Sequence, residues 1–248
     1  MWISTSDLIV SALGIDTTWV NIGKGYVFVL ATTMLLWAAF RQHEDELAKV
    51  IRDLERAATG RNDALEGTTR SVGAIIEARD PYTAGHQQRV GDLAARLGRE
   101  LGCDDEQVEG LRIGGYLHDV GKLAMPPEVL TRPGPLSPDE YSMVQAHSVR
   151  GHEILAPVPF LWPVADIALQ HHERFDGSGY PAGLRGDEII LEARIVAVAD
   201  TFDAITSARP YRPARTTAEA FEVIEAGSAT LFDPAVVAAL AALLTPGN

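Results

Sequence analysis

The sequence predicts an all-α protein: a helical domain over most of the chain, preceded by an apolar helix and a charged helical linker. From Arg70 onward, apolar residues recur at three- and four-residue spacing, which lines one face of a 3.6-residue helix. Two helix starts are spelled out chemically, Asp104 with Gln107 and Ser137-Pro138-Asp139-Glu140. Residues Gly25 to Phe40 form an unbroken run without charge.

That run comes first in the chain. A membrane span needs about 20 apolar residues, within a range of about 17–25. The run is short, but Lys24 and Arg41 can extend charged heads from its ends, and Tyr26 and Trp37 stand where interfacial aromatics belong. It is read as a single membrane-crossing helix, the alternative being an apolar helix that packs in a dimer. Lys24 precedes it while Arg41, Lys49 and Arg52 follow, which leans the C-terminal side toward the cytoplasm. The expected location is the cytoplasmic (inner) membrane, single-pass, with the larger domain inside the cell. From residue 41 to 68 the chain is charged, with Leu47, Val50, Ile51, Leu54 and Ala58 at helical spacing. This reads as a linker helix that could pair two copies of the chain as a short coiled coil, interrupted at Arg61 and loosened at Gly60 and Gly67. The expected division is therefore an anchor over 1–40, a linker over 41–68 and a domain over 69–248.

Within that domain, Gln87 to Leu101 carries Val90, Leu93, Ala94, Leu97 and Leu101 on one face. Asp104 opens the next helix, whose stripe of Val108, Leu111 and Gly115 brings His118 inward before Gly121 ends it. Met125 to Pro138 is proline-rich and reads as a loop. Ser137 caps a helix with Val144, His147, Gly151 and Ile154 on one face. Val164, Ile167 and Ala168 lead at helical spacing into His171. Ala193 to Ile205 is apolar apart from Arg194, Asp200, Thr201 and Asp203. Thr217–Glu225 and Pro234–Leu244 read as packing helices, the second capped by Asp233.

Composition narrows the chemistry. A net charge of −13 argues against a nucleic-acid partner, whose binding surfaces are basic. It leaves room for an anionic small substrate, because divalent ions held by carboxylates and imidazoles invert the local field. The single cysteine, Cys103, excludes a disulfide framework and a thiolate metal site.

The chemistry-bearing stretch is His171-His172-Glu173-Arg174-Phe175-Asp176-Gly177-Ser178-Gly179-Tyr180-Pro181. Neutral imidazole is a ligand for first-row metals near pH 7. Alone, the pair could equally be one core histidine beside one surface histidine. But His86, His118-Asp119, His147 and Asp200 recur where a metal site would want them, and an unpaired Asp200 in an apolar helix is costly to bury unless it meets a cation.

The order His86, His118-Asp119, His147, His171-His172, Asp200 resembles the HD-GYP family, a branch of the HD metal-dependent phosphohydrolases. The segments RDPYTAGHQQRV, LHDVGK, HHERFDGSGYP, VADTFDAITSARPYR and FDP carry the likeness over roughly residues 70 to 244. The resemblance implies an HD-type helical fold and hydrolysis of cyclic di-GMP to the linear dinucleotide, GMP or both. It implies that Lys122 contacts a substrate phosphate and that Tyr180 and Arg209 line the same pocket; outside those motifs each would read as an ordinary surface side chain. A nitrogen-and-oxygen donor set suits iron, manganese, nickel, cobalt or zinc, with iron or manganese placed first. Two divalent ions about 3.5–4 Å apart can stabilise both the attacking and the leaving oxygen of a phosphoryl displacement. In this scheme Asp119 bridges, His86, His118 and Asp200 complete one ion, and His147, His171 and His172 serve the second. Members that hold a third metal carry a glutamate four residues before the first histidine. Here that position is Tyr82, a phenol with a pKa of about 10, so two ions are expected. Asp203 is read as orienting rather than ligating, and Glu173, Arg174 and Asp176 as residues that hold the His-His loop. His152 is read as a partly exposed helix residue and His43 as solvated. A non-hydrolytic cyclic-dinucleotide-binding module, and a hydrolase of another nucleotide phosphoester, stand as alternatives.

Overall fold

The computed structural model describes residues 12–14, 17–79, 85–132, 134–208 and 213–245. Tyr82 and Arg209 lie outside them. The chain divides into two units, Met1–Asp63 and Ala64–Asn248. No strand ladder occurs among the described residues, only isolated bridges such as Asp176 with Arg185.

Helix α1 (Thr17–Arg79) is continuous, whereas the sequence suggested looser places at Gly60 and Gly67. Glycine lowers helix propensity without forbidding the helix. In the first unit the apolar side chains of α1 face outward: Leu36 is 72% and Trp37 61% exposed. Arg41 lies over the Trp37 ring at 5.0 Å. By length and composition this helix could cross a membrane.

The second unit is a helical domain built from the last turns of α1 and from α2 (His86–Glu100), α3 (Asp105–Leu117), a 3-10 turn (Val120–Ala124), α4 (Pro127–Leu130), α5 (Pro138–Leu155), α6 (Val164–Gln170), a second 3-10 turn (Gly186–Glu188), α7 (Leu191–Thr206), α8 (Thr217–Ala226) and α9 (Pro234–Leu244). Both expected capping boxes form. Asp104 accepts from the Gln107 amide at 2.8 Å while Gln107 answers from its side chain, and Ser137 with Glu140 does the same. Asp233 caps α9 through the Ala235 amide.

Two differences follow from packing. Leu155, not Ile154, closes the buried face of α5, and Ile154 is 44% exposed. The third helix ends at Leu117 rather than at Gly121, because the chain turns through His118 and Asp119 into the 3-10 turn. The loop expected over Met125 to Pro138 contains the short helix α4.

Helices α2, α3, α6 and α7 pack together. Val90, Ala94, Leu97, Leu111, Ile167 and Ile195 from these four are fully buried in one apolar cluster. A second cluster gathers Ile76, Ile113, Tyr116, Val120, Leu155 and Val164. The seam between the 3-10 turn and α5 is closed to a side chain at Gly121. A Cβ there would stand 1.9 Å from the His147 carbonyl oxygen and 2.6 Å from the Gly151 nitrogen. Backbone atoms cannot rotate away, so the turn and α5 meet only because residue 121 is glycine.

Gly121→Ala should therefore destabilise the protein by about 1–3 kcal/mol or more, as overpacking does, seen as a fall of several degrees in Tm. An unchanged Tm would contradict this seam.

Candidate metal centre

The predicted donors come from five places in the chain and meet in one region. His86 is the first residue of α2. His118 and Asp119 form the bend after α3. His147 lies in α5, His171 and His172 follow α6, and Asp200 lies in α7. His86, His118, Asp119, His147 and His171 are buried.

Helical geometry aims the rings. His118 Nδ1 is 2.8 Å from the Gly115 carbonyl, His147 Nδ1 2.6 Å from that of Val144, and His171 Nδ1 2.9 Å from that of Ala168. Each partner is three residues back. A carbonyl only accepts, so the proton sits on Nδ1 and each Nε2 presents a lone pair inward. His86 opens its helix and has no helical carbonyl one turn back. Its Nδ1 instead meets Asp203 Oδ2 at 2.7 Å, and Arg89 Nε donates to Asp203 Oδ1 at 2.5 Å. Asp203 thus orients His86.

Asp119 lies between two groups of these nitrogens. Its Oδ1 is 3.3 Å from His147 Nε2 and its Oδ2 3.3 Å from His118 Nε2. His86 Nε2 is 4.0 Å from Oδ2 and 3.2 Å from Asp200 Oδ1. One set of donor atoms belongs to His86, His118 and Asp119, another to His147, His171 and His172, each set lying within 4.8 Å of itself. Asp200 keeps 19% exposure and also lies 3.9 Å from His118 Nε2.

The donors suit a cation on chemical grounds. His147 Nε2 and His171 Nε2 are 3.3 Å apart. With both protons committed to Nδ1, neither nitrogen can donate to the other, so two lone pairs face each other in a buried site. An ion between such nitrogens satisfies both.

Electrostatics agree. Burial alone would raise the Asp119 carboxyl, but Lys122, His118 and His147 hold it well below the usual carboxylate range. Burial likewise opposes ionisation of Asp200, yet the hydrogen bond it accepts from His86 keeps it ionised. Burial pushes His147 and His171 down, and His172 down to about 4, so these rings are neutral at pH 7. His86 is the exception: burial works against its charge, but the hydrogen bonds it donates to Asp200 and Asp203 raise it to about 10.

Lys122 Nζ donates to Asp119 Oδ2 at 2.6 Å. The Tyr180 ring stands 4.8 Å from that of His172. Glu173 holds this loop by accepting the amides of Ala182, Gly183 and Leu184 at 2.7, 3.2 and 3.1 Å. Asp176 accepts the Ser178 amide. His152 is partly exposed and 3.6 Å from Asp166, and His43 is exposed. Sequence reasoning missed Gln87, whose Nε2 donates to Asp119 Oδ2 at 3.3 Å. Its position directly after His86 was the only signal.

Comparison with known proteins bears on this arrangement. A family model described as HD domain matches residues 70–236. The chain is 40% identical over 206 residues to the cyclic di-GMP phosphodiesterase response regulator RpfG of Xanthomonas campestris, covering 81% of this chain and 54% of that protein. It is 41% identical over 199 residues to a cyclic di-GMP phosphodiesterase of Thermotoga maritima, covering 78% and 54%. It is also 40% identical over 176 residues to the 3'3'-cGAMP-specific phosphodiesterase 3 of Vibrio cholerae, covering 71% and 38%. The chain spans about half or less of the length of these curated relatives. Among solved structures, Bd1817, an HDG"Y"P protein from Bdellovibrio bacteriovorus, shares the fold with a TM-score of 0.57 at 22% identity, over 75% of this chain and 62% of that one. With its HD motif at His118-Asp119 inside the matched region, the chain belongs to the HD-domain family, and these relatives bear out its likeness to the HD-GYP branch.

Proposed function

We propose that this chain is a metal-dependent phosphodiesterase that hydrolyses cyclic di-GMP to the linear dinucleotide, GMP or both. The observation that carries the reading is Asp119, a buried carboxylate whose two oxygens face different histidine groups. Relatives at 40% and 41% identity named as cyclic di-GMP phosphodiesterases support the substrate.

In this reading the site would hold two divalent ions, iron or manganese first among the candidates: His86, His118 and Asp200 would hold one, His147, His171 and His172 the other, and Asp119 would serve both. Bound ions would polarise the phosphodiester and supply an acidified water. The protein's own groups do the rest. The carbonyls of Gly115, Val144 and Ala168 and the carboxylate of Asp203 fix the rings beforehand, so little reorganisation is left for the reaction. Lys122, whose Nζ donates to Asp119, would be the cationic contact for a substrate phosphate. Tyr180, beside His172, would flank the substrate; the same role for Arg209 rests on the motif alone. A second reading, hydrolysis of 3'3'-cGAMP, is favoured by the 40% identical Vibrio relative with that specificity in its name.

The proposed organisation is an anchor over 1–40, a helical linker over 41–68 that pairs two copies, and a phosphodiesterase domain over 69–248 on the cytoplasmic side of the bacterial inner membrane. The outward-facing apolar residues of α1 support the anchor.

Chromatographic assay of the manganese-loaded protein should show conversion of cyclic di-GMP faster than of 3'3'-cGAMP. Asp119→Asn should lower turnover at least ~1000-fold, in keeping with loss of a group on which both ions depend, and should deplete metal; full turnover would defeat the assignment. His86, raised to about 10, is protonated at pH 7.5 and must lose that proton for Nε2 to bind a metal. Calorimetric titration with metal in buffers of different ionisation enthalpy should therefore register release of about one proton or more per chain. His86→Gln should remove that proton, and no net release in the unmodified protein would contradict the role of His86. Deleting residues 1–40 should move the protein from the membrane to the soluble fraction, whereas a full chain soluble without detergent would rule out the anchor.

A further inference from the structure

Helix α2 has an unusual beginning. Gly85, just before it, has φ 73, a left-handed conformation that favours glycine. Glycine has no side chain with which to accept the unpaired amides of a first helical turn. The acceptor comes from α1 instead. Glu77 receives the Gly85 amide on Oε2 at 2.8 Å and the Gln87 amide on Oε1 at 2.9 Å. Its carboxylate also lies at the end of α2 where the helix dipole is positive.

The amides that Glu77 holds lie on either side of His86. The two residues that open α2, His86 and Gln87, are the ones that approach Asp119 from this helix, at 4.0 and 3.3 Å. The ring of His86 leans on Asp203 in α7, since no carbonyl of its own helix supports it. Its backbone is therefore set by the first turn of α2, and that turn is set by Glu77.

We infer that Glu77 is a positioning residue of the metal centre. By gripping the amides on both sides of His86, it fixes the height at which His86 and Gln87 meet Asp119. The last turns of α1, within the second unit, thereby have a direct mechanical connection to one half of the centre. The inference rests on the proposed metal-dependent activity for its kinetic consequence, but its structural consequence can be read separately.

The test uses the full chain in detergent, loaded with Mn(II), with Glu77→Ala and Glu77→Gln beside the unmodified protein. Metal retained against a competing chelator, kcat and KM for cyclic di-GMP, and Tm are measured on each. Glu77→Ala should weaken metal retention and lower kcat about tenfold or more, as loss of outer supports of metal ligands does, with KM changed less than about twofold. Glu77→Gln, which keeps one carbonyl acceptor, should recover part of both and decides the matter alone if the alanine variant does not fold. A lowered Tm with unchanged metal retention and kcat would make Glu77 a simple helix cap and overturn the inference. If the unmodified protein retains metal but turns over no cyclic di-GMP, the functional reading fails, while the metal-retention comparison still decides the role of Glu77.

Discussion

A buried carboxylate is the constraint on which this domain turns. Asp119 is 2% exposed, and an isolated charge in such a place is expensive. It is tolerated because positive or polarisable groups converge on it from several helices: Lys122 and Gln87 by hydrogen bonds, His118 and His147 through ring nitrogens. Bringing them together dictates how the helices pack. The turn that carries Asp119 must touch α5, and only glycine at 121 permits that approach.

The histidines reach the site by one repeated device and one exception. His118, His147 and His171 each anchor Nδ1 to a carbonyl three residues earlier, so the helix itself aims Nε2. Such anchoring needs no partner outside the local segment, and it leaves each buried Nε2 lone pair facing inward. His86 stands at a helix start where the device fails. Asp203, itself held by Arg89, supplies the missing support from the side, and the hydrogen bonds that His86 makes to Asp200 and Asp203 drive it toward the protonated form.

Much of this was legible in the sequence because it depends on local pattern. The helix starts at Asp104, Ser137 and Pro234 follow from capping chemistry, and they form as read. The donor residues could be singled out because histidine and aspartate in apolar stripes are costly without a purpose. What could not be read depends on distant approach. Gly121 looked like a helix stop, but its requirement comes from the His147 carbonyl. Glu77 serves amides eight and ten residues away, across the start of another helix. Gln87 meets a carboxylate 32 residues on. Leu155 rather than Ile154 faces the core because of how α5 lies on its neighbours. No local spacing encodes these contacts.

The central claim is that Asp119 joins two cation sites made of nitrogen and oxygen donors. X-ray absorption spectroscopy on anaerobically metal-loaded protein tests it most directly. The account predicts a ligand shell of nitrogen and oxygen alone, with a metal–metal vector of about 3.5–4 Å. A single isolated ion without metal–metal scattering, or a shell containing sulfur, would contradict it.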